Sequence, residues 1–348
     1  MMSNETKTSP PPIQLGLLGP LLLVVGLALA AYLGNEACSS SAGCVEGARE
    51  VWRATFPDWL RGAIRSIVHL VLSPWLWGLF VLVALAERLN PAQAGQKVLS
   101  KGFLHDAIAW WLADKLLFGL LVSSVLSYSA AIALYREYLD FLTVDWLVEL
   151  PTGAKAAIAF VVSDFLNWLH HLVRHKVPAF WVFHAVHHSQ REMNIFTDVR
   201  VHPFDRAIAM PIALIPMLAL QLDVSIVPWL LTAQMLYTHA YHANVRTHYG
   251  PLKYLFVTPQ SHRVHHSEAP EHADTNFGVI FCLWDRLFGT HVDQWDAYPQ
   301  TGVQDPDFPM ERRSTVGGVF GAYVHQFFYP FRQIWARLTT GRWQLPAG

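Results

Sequence analysis

Charge is scarce in this sequence: Asp, Glu, Lys and Arg make up 15% of its 348 residues, against about a quarter in an ordinary soluble protein. With 53% hydrophobic residues and a mean hydropathy of +0.26, the shortage argues for lipid surroundings. A net charge of -1 and a pI near 7.0 provide no basic field for phosphate backbones, which excludes nucleic acid as a partner class. Cysteine is scarcer still, at three residues, and no C-x-x-C pair occurs, so the chain has neither an Fe–S pattern nor a C-x-x-C-H haem attachment. No G-x-G-x-x-G follows a strand, so the dinucleotide-binding fingerprint is also missing. Any electrons the protein uses must come from a separate partner. Cys38 and Cys44 flank a small-residue loop, "CSSSAGC". A disulfide in an oxidising compartment and two free thiols both fit it.

Long apolar runs are plentiful. A bilayer-crossing helix takes about 20 apolar residues, and such runs are read at 13–33, 64–85 and 116–135, with a fourth near 154–169. The first is longer than the core of a signal peptide and has little positive charge before it, so it is read as a retained helix. The stretch 208–236 contains Pro211, Pro216 and Pro228, with Asp223 in its middle. It is expected as a hairpin dipping into the membrane. Lys and Arg concentrate after Trp168, which by the positive-inside preference puts the chain beyond the fourth span on the cytoplasmic side. The expected organisation is a membrane region over 1–150, a chemistry-bearing region over 151–295, and a tail over 296–348 whose aromatic, amphipathic segment suits the membrane surface.

Histidine, at 18 residues, is abundant, and it is patterned. "HAVHHS" at 184–189 recurs as "HRVHHS" at 262–267, and "HHLVRH" at 170–175 precedes both. On a helix, residues three and four apart share a face, so His171 and His175 project together, as do His184, His187 and His188, and His262, His265 and His266. Burying so many imidazoles without a cation would leave many polar nitrogens unsatisfied. His242 in "THAYHANVRTHYG" is read as a ninth ligand, and His239, one turn earlier, as a ligand or an orienting group. His202, in "RVHPFD", is a candidate to line the site. Asp164 is expected to orient His171 or His175 through the outward ring nitrogen, and Asn244, Asp274 and Asn276 are further supporting candidates. The isolated His69 and His105 are expected as core residues, and His248, His272 and His291 as peripheral ones.

A zinc site takes three or four protein ligands, so eight or nine imidazoles suit two ions. Imidazole alone suits zinc, copper, iron and nickel. The Glu-x-x-His ligands of soluble di-iron bundles are missing from these boxes.

The ordered segments "DFLNWLHHLVRH", "FWVFHAVHHS", "HANVRTHYGPLKYLFVTPQSHRVHHS" and "DTNFGVIFCLWDRLFGT" resemble the fatty acid hydroxylase superfamily, which includes sterol desaturases, sterol methyl oxidases and alkylglycerol monooxygenase. The resemblance covers about 164–290. It implies an all-α, multi-pass integral membrane bundle whose cytoplasmic-side, histidine-rich helical cap holds a dinuclear metal site. It further implies two Fe ions, zinc being the substitute in isolated protein, with ligands at His171, His175, His184, His187, His188, His242, His262, His265 and His266. The usual H-R-x-x-H of the first box is replaced here by Leu172 after His171, with the arginine at Arg174.

The implied activity is O2-dependent hydroxylation of a lipid C–H bond, on a fatty acyl, sterol, ether or amino lipid. Electrons would come from a reductase with ferredoxin, or from a cytochrome. Desaturation at the same site is one rival reading. A membrane zinc hydrolase using Glu192 or Glu268 as its base is another. A groove lined by Phe180, Trp181 and Phe183 is expected for the lipid, with membrane anchoring as their equal alternative.

Overall fold

A computed structural model describes residues 74–97, 99–110, 135–222, 226–311 and 315–341. The expected span at 13–33, that at 116–135 apart from Tyr135, residues 64–73 of the one at 64–85, and Cys38, Cys44, His69 and Asp223 lie outside the described residues. Among the described residues the regular structure is helical, with isolated bridges in place of sheet. Residues 73–314 and 318–348 form one compact unit.

The helices that position the site are α1 (Pro74–Leu89), α2 (Lys101–Ala109), α3 (Asp145–Val148), α4 (Thr152–Lys176), α5 (Pro178–His188), α6 (Pro203–Ala219), α7 (Val227–His242), α8 (Pro259–His265), α9 (Leu283–Phe288) and α10 (Val316–Thr340). Helix α4 has 25 residues with no internal proline, roughly 37 Å at 1.5 Å per residue. Among the described residues it alone is long and apolar enough to cross a membrane.

Pro178 ends α4 and starts α5. A proline disfavours helical backbone in the residue before it, and Val177 is accordingly extended, serving as C-cap of one helix and N-cap of the next. One sharp corner therefore brings the end of α4 and the end of α5 to the same place, and both ends carry histidines. The stretch 208–236 falls in two helices, α6 and α7, rather than one straight one. Helix α6 packs along α4, where the Ser163 hydroxyl donates to the Ala213 carbonyl at 2.9 Å.

Helix α8 is short but firmly started: Pro259 occupies its first turn, and Thr258 and Ser261 form a reciprocal capping box. Such a box satisfies two of the amide donors that a helix start leaves unpaired. After α8 the chain needs left-handed backbone at Asp274 (φ 59°) and Asn276 (φ 56°), which Asp and Asn tolerate better than most residues. Gly278 follows at a close approach, where a Cβ would lie 2.8 Å from the Phe281 carbonyl oxygen.

Apolar packing is divided into patches. Val182, Ala185 and Val186 of α5 meet Val303, Phe308 and Tyr329. Ala159 of α4 meets Met217, Leu220, Leu222 and Val227. Helix α10 mixes the two characters on both faces: Gln326 and Gln333 are buried, at 1% and 9% exposure, beside Val319, Ala322 and Tyr329, while Phe328, Trp335 and Leu338 face outward at 53%, 69% and 74%.

Candidate metal centre

The interior between α4, α5, α7 and α8 is filled with imidazole. His171, His175, His184, His188 and His265 bring one ring nitrogen each to within 4.8 Å of one another, and His187, His242, His262 and His266 do the same in a second group. The groups adjoin, the rings of His188 and His266 stacking with centroids 4.2 Å apart. All nine candidate ligands fall in these two groups, and neither contains a carboxylate.

The partition explains the doubled motif. In each H-x-x-H-H box the first and last histidines, four apart, serve one group, and the middle histidine, at the fourth position, crosses to the other. Thus His184 and His188 join the first group and His187 the second, whereas His262 and His266 join the second and His265 the first. Successive helical residues are turned by about 100°, so adjacent histidines such as 187 and 188 address different points.

Ring orientation is set from outside by acceptors. His171 Nδ1 donates to the Phe277 carbonyl at 2.9 Å, His265 Nδ1 to Thr275 at 2.7 Å, His187 Nδ1 to Arg200 at 3.3 Å and His242 Nδ1 to Thr238 at 2.7 Å. A carbonyl only accepts, so the proton sits on Nδ1, and Nε2 is left as a bare lone pair aimed inward. Asp205 does the same for His184 at 3.0 Å while also accepting from Arg174. Asp274 stands 3.6 Å from His175 Nδ1 and pairs with Lys176 at 2.6 Å.

The inward nitrogens then face one another, and His187 and His242, whose protons are held on Nδ1, do so with no proton between them. His242 Nε2 lies 3.3 Å from His187 Nε2 and 2.8 Å from His262 Nε2, and the buried Nε2 atoms of His171, His184 and His265 have no partner. Each buried unsatisfied group costs about 1–3 kcal/mol. Protonation does not offer a remedy, because burial, followed by the charge of neighbouring groups, holds His184, His187, His188, His262, His265 and His266 well below the ordinary imidazole value. Neutral imidazole with a free Nε2 is the ligating form. The donor set therefore fits a metal site.

The supporting candidates fall elsewhere. Asp164 touches neither His171 nor His175: its carboxylate accepts from the amides of Ile280 and Phe281 and from Trp284 Nε1 at 2.7, 3.3 and 2.8 Å. It fastens the segment after Gly278 to α4. His202 is used up structurally, Nδ1 accepting from the Phe204 amide at 3.2 Å and Nε2 donating to the Phe327 carbonyl at 3.0 Å. His239 lies outside both groups and pairs with Asp198 at 2.7 Å. Asn244 accepts from the Gln93 amide and Arg263, and Asn276 ties Ser261 to Val292. Buried His105 pairs with Glu311 at 2.7 Å.

Sequence reasoning missed Asp205, Asp198 and Asp285. Asp285, in the "WDRLFGT" segment, accepts from Trp168 Nε1, the amides of Phe277 and Gly278, and the Thr290 hydroxyl, at 2.9, 2.9, 2.7 and 2.6 Å. It thereby holds the carbonyl that orients His171. Trp181 lines a cavity of about 260 Å³ that opens onto His175, His188 and His265. Phe183 instead packs on His202 and Phe331.

Residues 156–290 match the family described as fatty acid hydroxylase. The chain is 27% identical over 247 residues to ornithine lipid hydroxylase OlsE of Rhizobium tropici, covering 69% of this chain and 74% of that protein. It is 31% identical over 150 residues to alkylglycerol monooxygenase of Xenopus tropicalis and 32% over 132 residues to that of Homo sapiens. Those alignments span 42% and 38% of this chain, and only 33% and 29% of the two relatives. No solved structure matches the chain.

Proposed function

We propose that the chain, whose residues 156–290 match the fatty acid hydroxylase family, is a membrane-bound, O2-dependent lipid hydroxylase whose two histidine groups hold a pair of irons. The observation that carries this reading is the convergence of nine imidazole ring nitrogens, eight of them on buried residues, in two adjoining groups. Relatives named ornithine lipid hydroxylase and alkylglycerol monooxygenase support a lipid as the substrate class.

When bound, the iron pair would supply reductive activation of O2, one oxygen entering a C–H bond and the other leaving as water. The chain's own residues keep the ligands ready. The carbonyls of Thr238, Thr275, Phe277 and Arg200 keep the Nδ1 protons in place, and Asp205 keeps that of His184, so these rings neither rotate nor change tautomer. Burial of eight of the nine histidines, His175 being partly exposed, restricts water at the reacting point. The cavity beside the first group, at about 260 Å³, is smaller than the roughly 300–1,000 Å³ of pockets that enclose a whole ligand. It suits the reacting part of a lipid whose remainder lies outside.

Electrons would arrive from a reductase with ferredoxin or from a cytochrome. The chain would be multi-pass, with the histidine boxes on the cytoplasmic side after α4. Residues 1–150 would form the membrane region, 151–295 the catalytic region and 296–348 the tail. The outward apolar face of α10 supports a membrane-surface position for that tail.

The test combines metal analysis of detergent-purified protein with oxygen uptake and product mass on a lipid extract. About two irons per chain, lipid-stimulated uptake and a product heavier by one oxygen are expected. A product lacking two hydrogens would turn the assignment to desaturation. Zinc with oxygen-independent turnover would turn it to hydrolysis.

A further inference from the structure

The irregular segment between α5 and α6 is fastened from outside the histidine boxes. Asp106 on α2, fully buried, accepts from Gln190 Nε2 at 2.5 Å, Asn194 Nδ2 at 3.0 Å, Thr197 Oγ1 at 3.3 Å and Arg200 Nε at 2.5 Å. The Arg200 guanidinium, 1% exposed, also meets Glu311 at 2.5 Å and the Ser189 hydroxyl at 3.1 Å. Side-chain hydrogen bonds therefore do here what a regular ladder does elsewhere.

This segment presents its groups to the second histidine group alone. The Arg200 carbonyl receives His187 Nδ1 at 3.3 Å. The Asp198 carboxylate stands 3.6 Å from His242 Nδ1 and 2.7 Å from His239 Nδ1. The first group takes its outward partners from other places: the 274–277 stretch and Asp205.

We propose that Asp106, Arg200 and Glu311 are positioning residues for one metal position of the two, the one formed by His187, His242, His262 and His266. The two positions are on this view fastened by separate parts of the chain and can be loosened one at a time. Asp106 and Glu311 lie outside the matched stretch 156–290 and touch no candidate ligand, acting through the Arg200 backbone. Removing one partner of a buried ion pair leaves an uncompensated charge, so the segment must shift. A bond already at 3.3 Å is then lost. Losing such an outer partner typically lowers metal affinity roughly 10- to 100-fold.

The inference rests on the reading that both groups hold metal. Its test is an anaerobic Fe(II) titration of the full-length, detergent-purified protein, with iron counted per chain and its spectrum recorded by Mössbauer spectroscopy. In Asp106→Asn and Glu311→Gln, one iron should bind as in the unaltered protein and the other roughly 10- to 100-fold more weakly. At limiting iron, the spectrum should change from a coupled pair to an isolated ion. Adding His187→Ala to Asp106→Asn should lower iron content little further. Asp205→Asn, which addresses His184 of the first group, should weaken the other position instead.

Equal affinity at both positions in Asp106→Asn, or parallel loss of both in a protein of unchanged helicity, would overturn the proposal. If Asp106→Asn does not fold, Asp198→Asn takes its place, with the same one-iron result expected and unchanged binding overturning the idea. An unaltered protein that binds no iron at all would instead sink the metal reading itself.

Discussion

Asp285→Asn is the sharpest perturbation of the first metal position. The carboxylate is 1% exposed and receives four hydrogen bonds, three at Oδ1 from Trp168, Phe277 and Thr290 and one at Oδ2 from Gly278. An amide keeps the three by leaving its oxygen at the Oδ1 place, but its NH2 then faces the Gly278 N–H, donor against donor. One charge-assisted bond, about 1.5–3 kcal/mol, is lost, and the three others weaken toward the neutral value of about 0.5–1.5 kcal/mol. The total is roughly 5–7 kcal/mol, at the large end for a single substitution, where broken buried networks fall. For a unit of this size that corresponds to a fall of roughly 10–20 °C in unfolding temperature. Because Asp285 holds Phe277, and Phe277 holds His171, iron at the first position should weaken together with the fold. The assay is thermal unfolding of iron-loaded protein in detergent, with iron counted after desalting. An unfolding temperature within about 2 °C of the unaltered protein, below about 1 kcal/mol, would show that the bonds to Asp285 are replaceable.

His187→Ala and His265→Ala, which remove the crossing histidine of each box, should each abolish product and release metal. Full activity in either would sink the ligand assignment. Gly278→Ala places a Cβ 2.8 Å from both the Phe281 carbonyl oxygen and Val257 Cγ2, and should destabilise by about 1–3 kcal/mol, as overpacking does; denaturant unfolding measures it. Lowering pH should destabilise the metal-free protein. The histidines with depressed values stay neutral when folded, whereas the unfolded chain takes up protons below about pH 6.5. Stability is thus kept above that pH and lost as pH falls, by up to about 1.4 kcal/mol per pH unit for each such ring. A denaturation midpoint that is flat or rises between pH 7.5 and 5.5 would contradict this.

A candidate metal site was readable from residues 170–266 because metal ligation demands one residue type at helical spacing, and a repeated H-x-x-H-H meets that demand openly. All-helical architecture and the long apolar α4 were readable for the same kind of reason: each is a property of neighbours in the chain. Asp164 was misread because its proximity in sequence to His171 suggested a partner. On a helix, seven residues apart is about two turns, or roughly 10 Å, and its true partners are Ile280, Phe281 and Trp284, more than a hundred residues away. His202 was drawn toward the site by its residue type, whereas capping α6 and bonding Phe327 consume both its nitrogens. Four of the groups that orient the ligands are backbone carbonyls, which every residue has and no sequence pattern can flag.

Composition and spacing, then, were sufficient for a membrane-associated helical protein with enough imidazole for two ions. Which histidines gather in one group was not readable, because His187 and His188 are adjacent in the chain yet belong to different groups. That assignment depends on where the Val177–Pro178 corner and the start of α8 direct each helix face. It also depends on carboxylates such as Asp205 and Asp285, whose effect is felt only once distant segments have been folded against them.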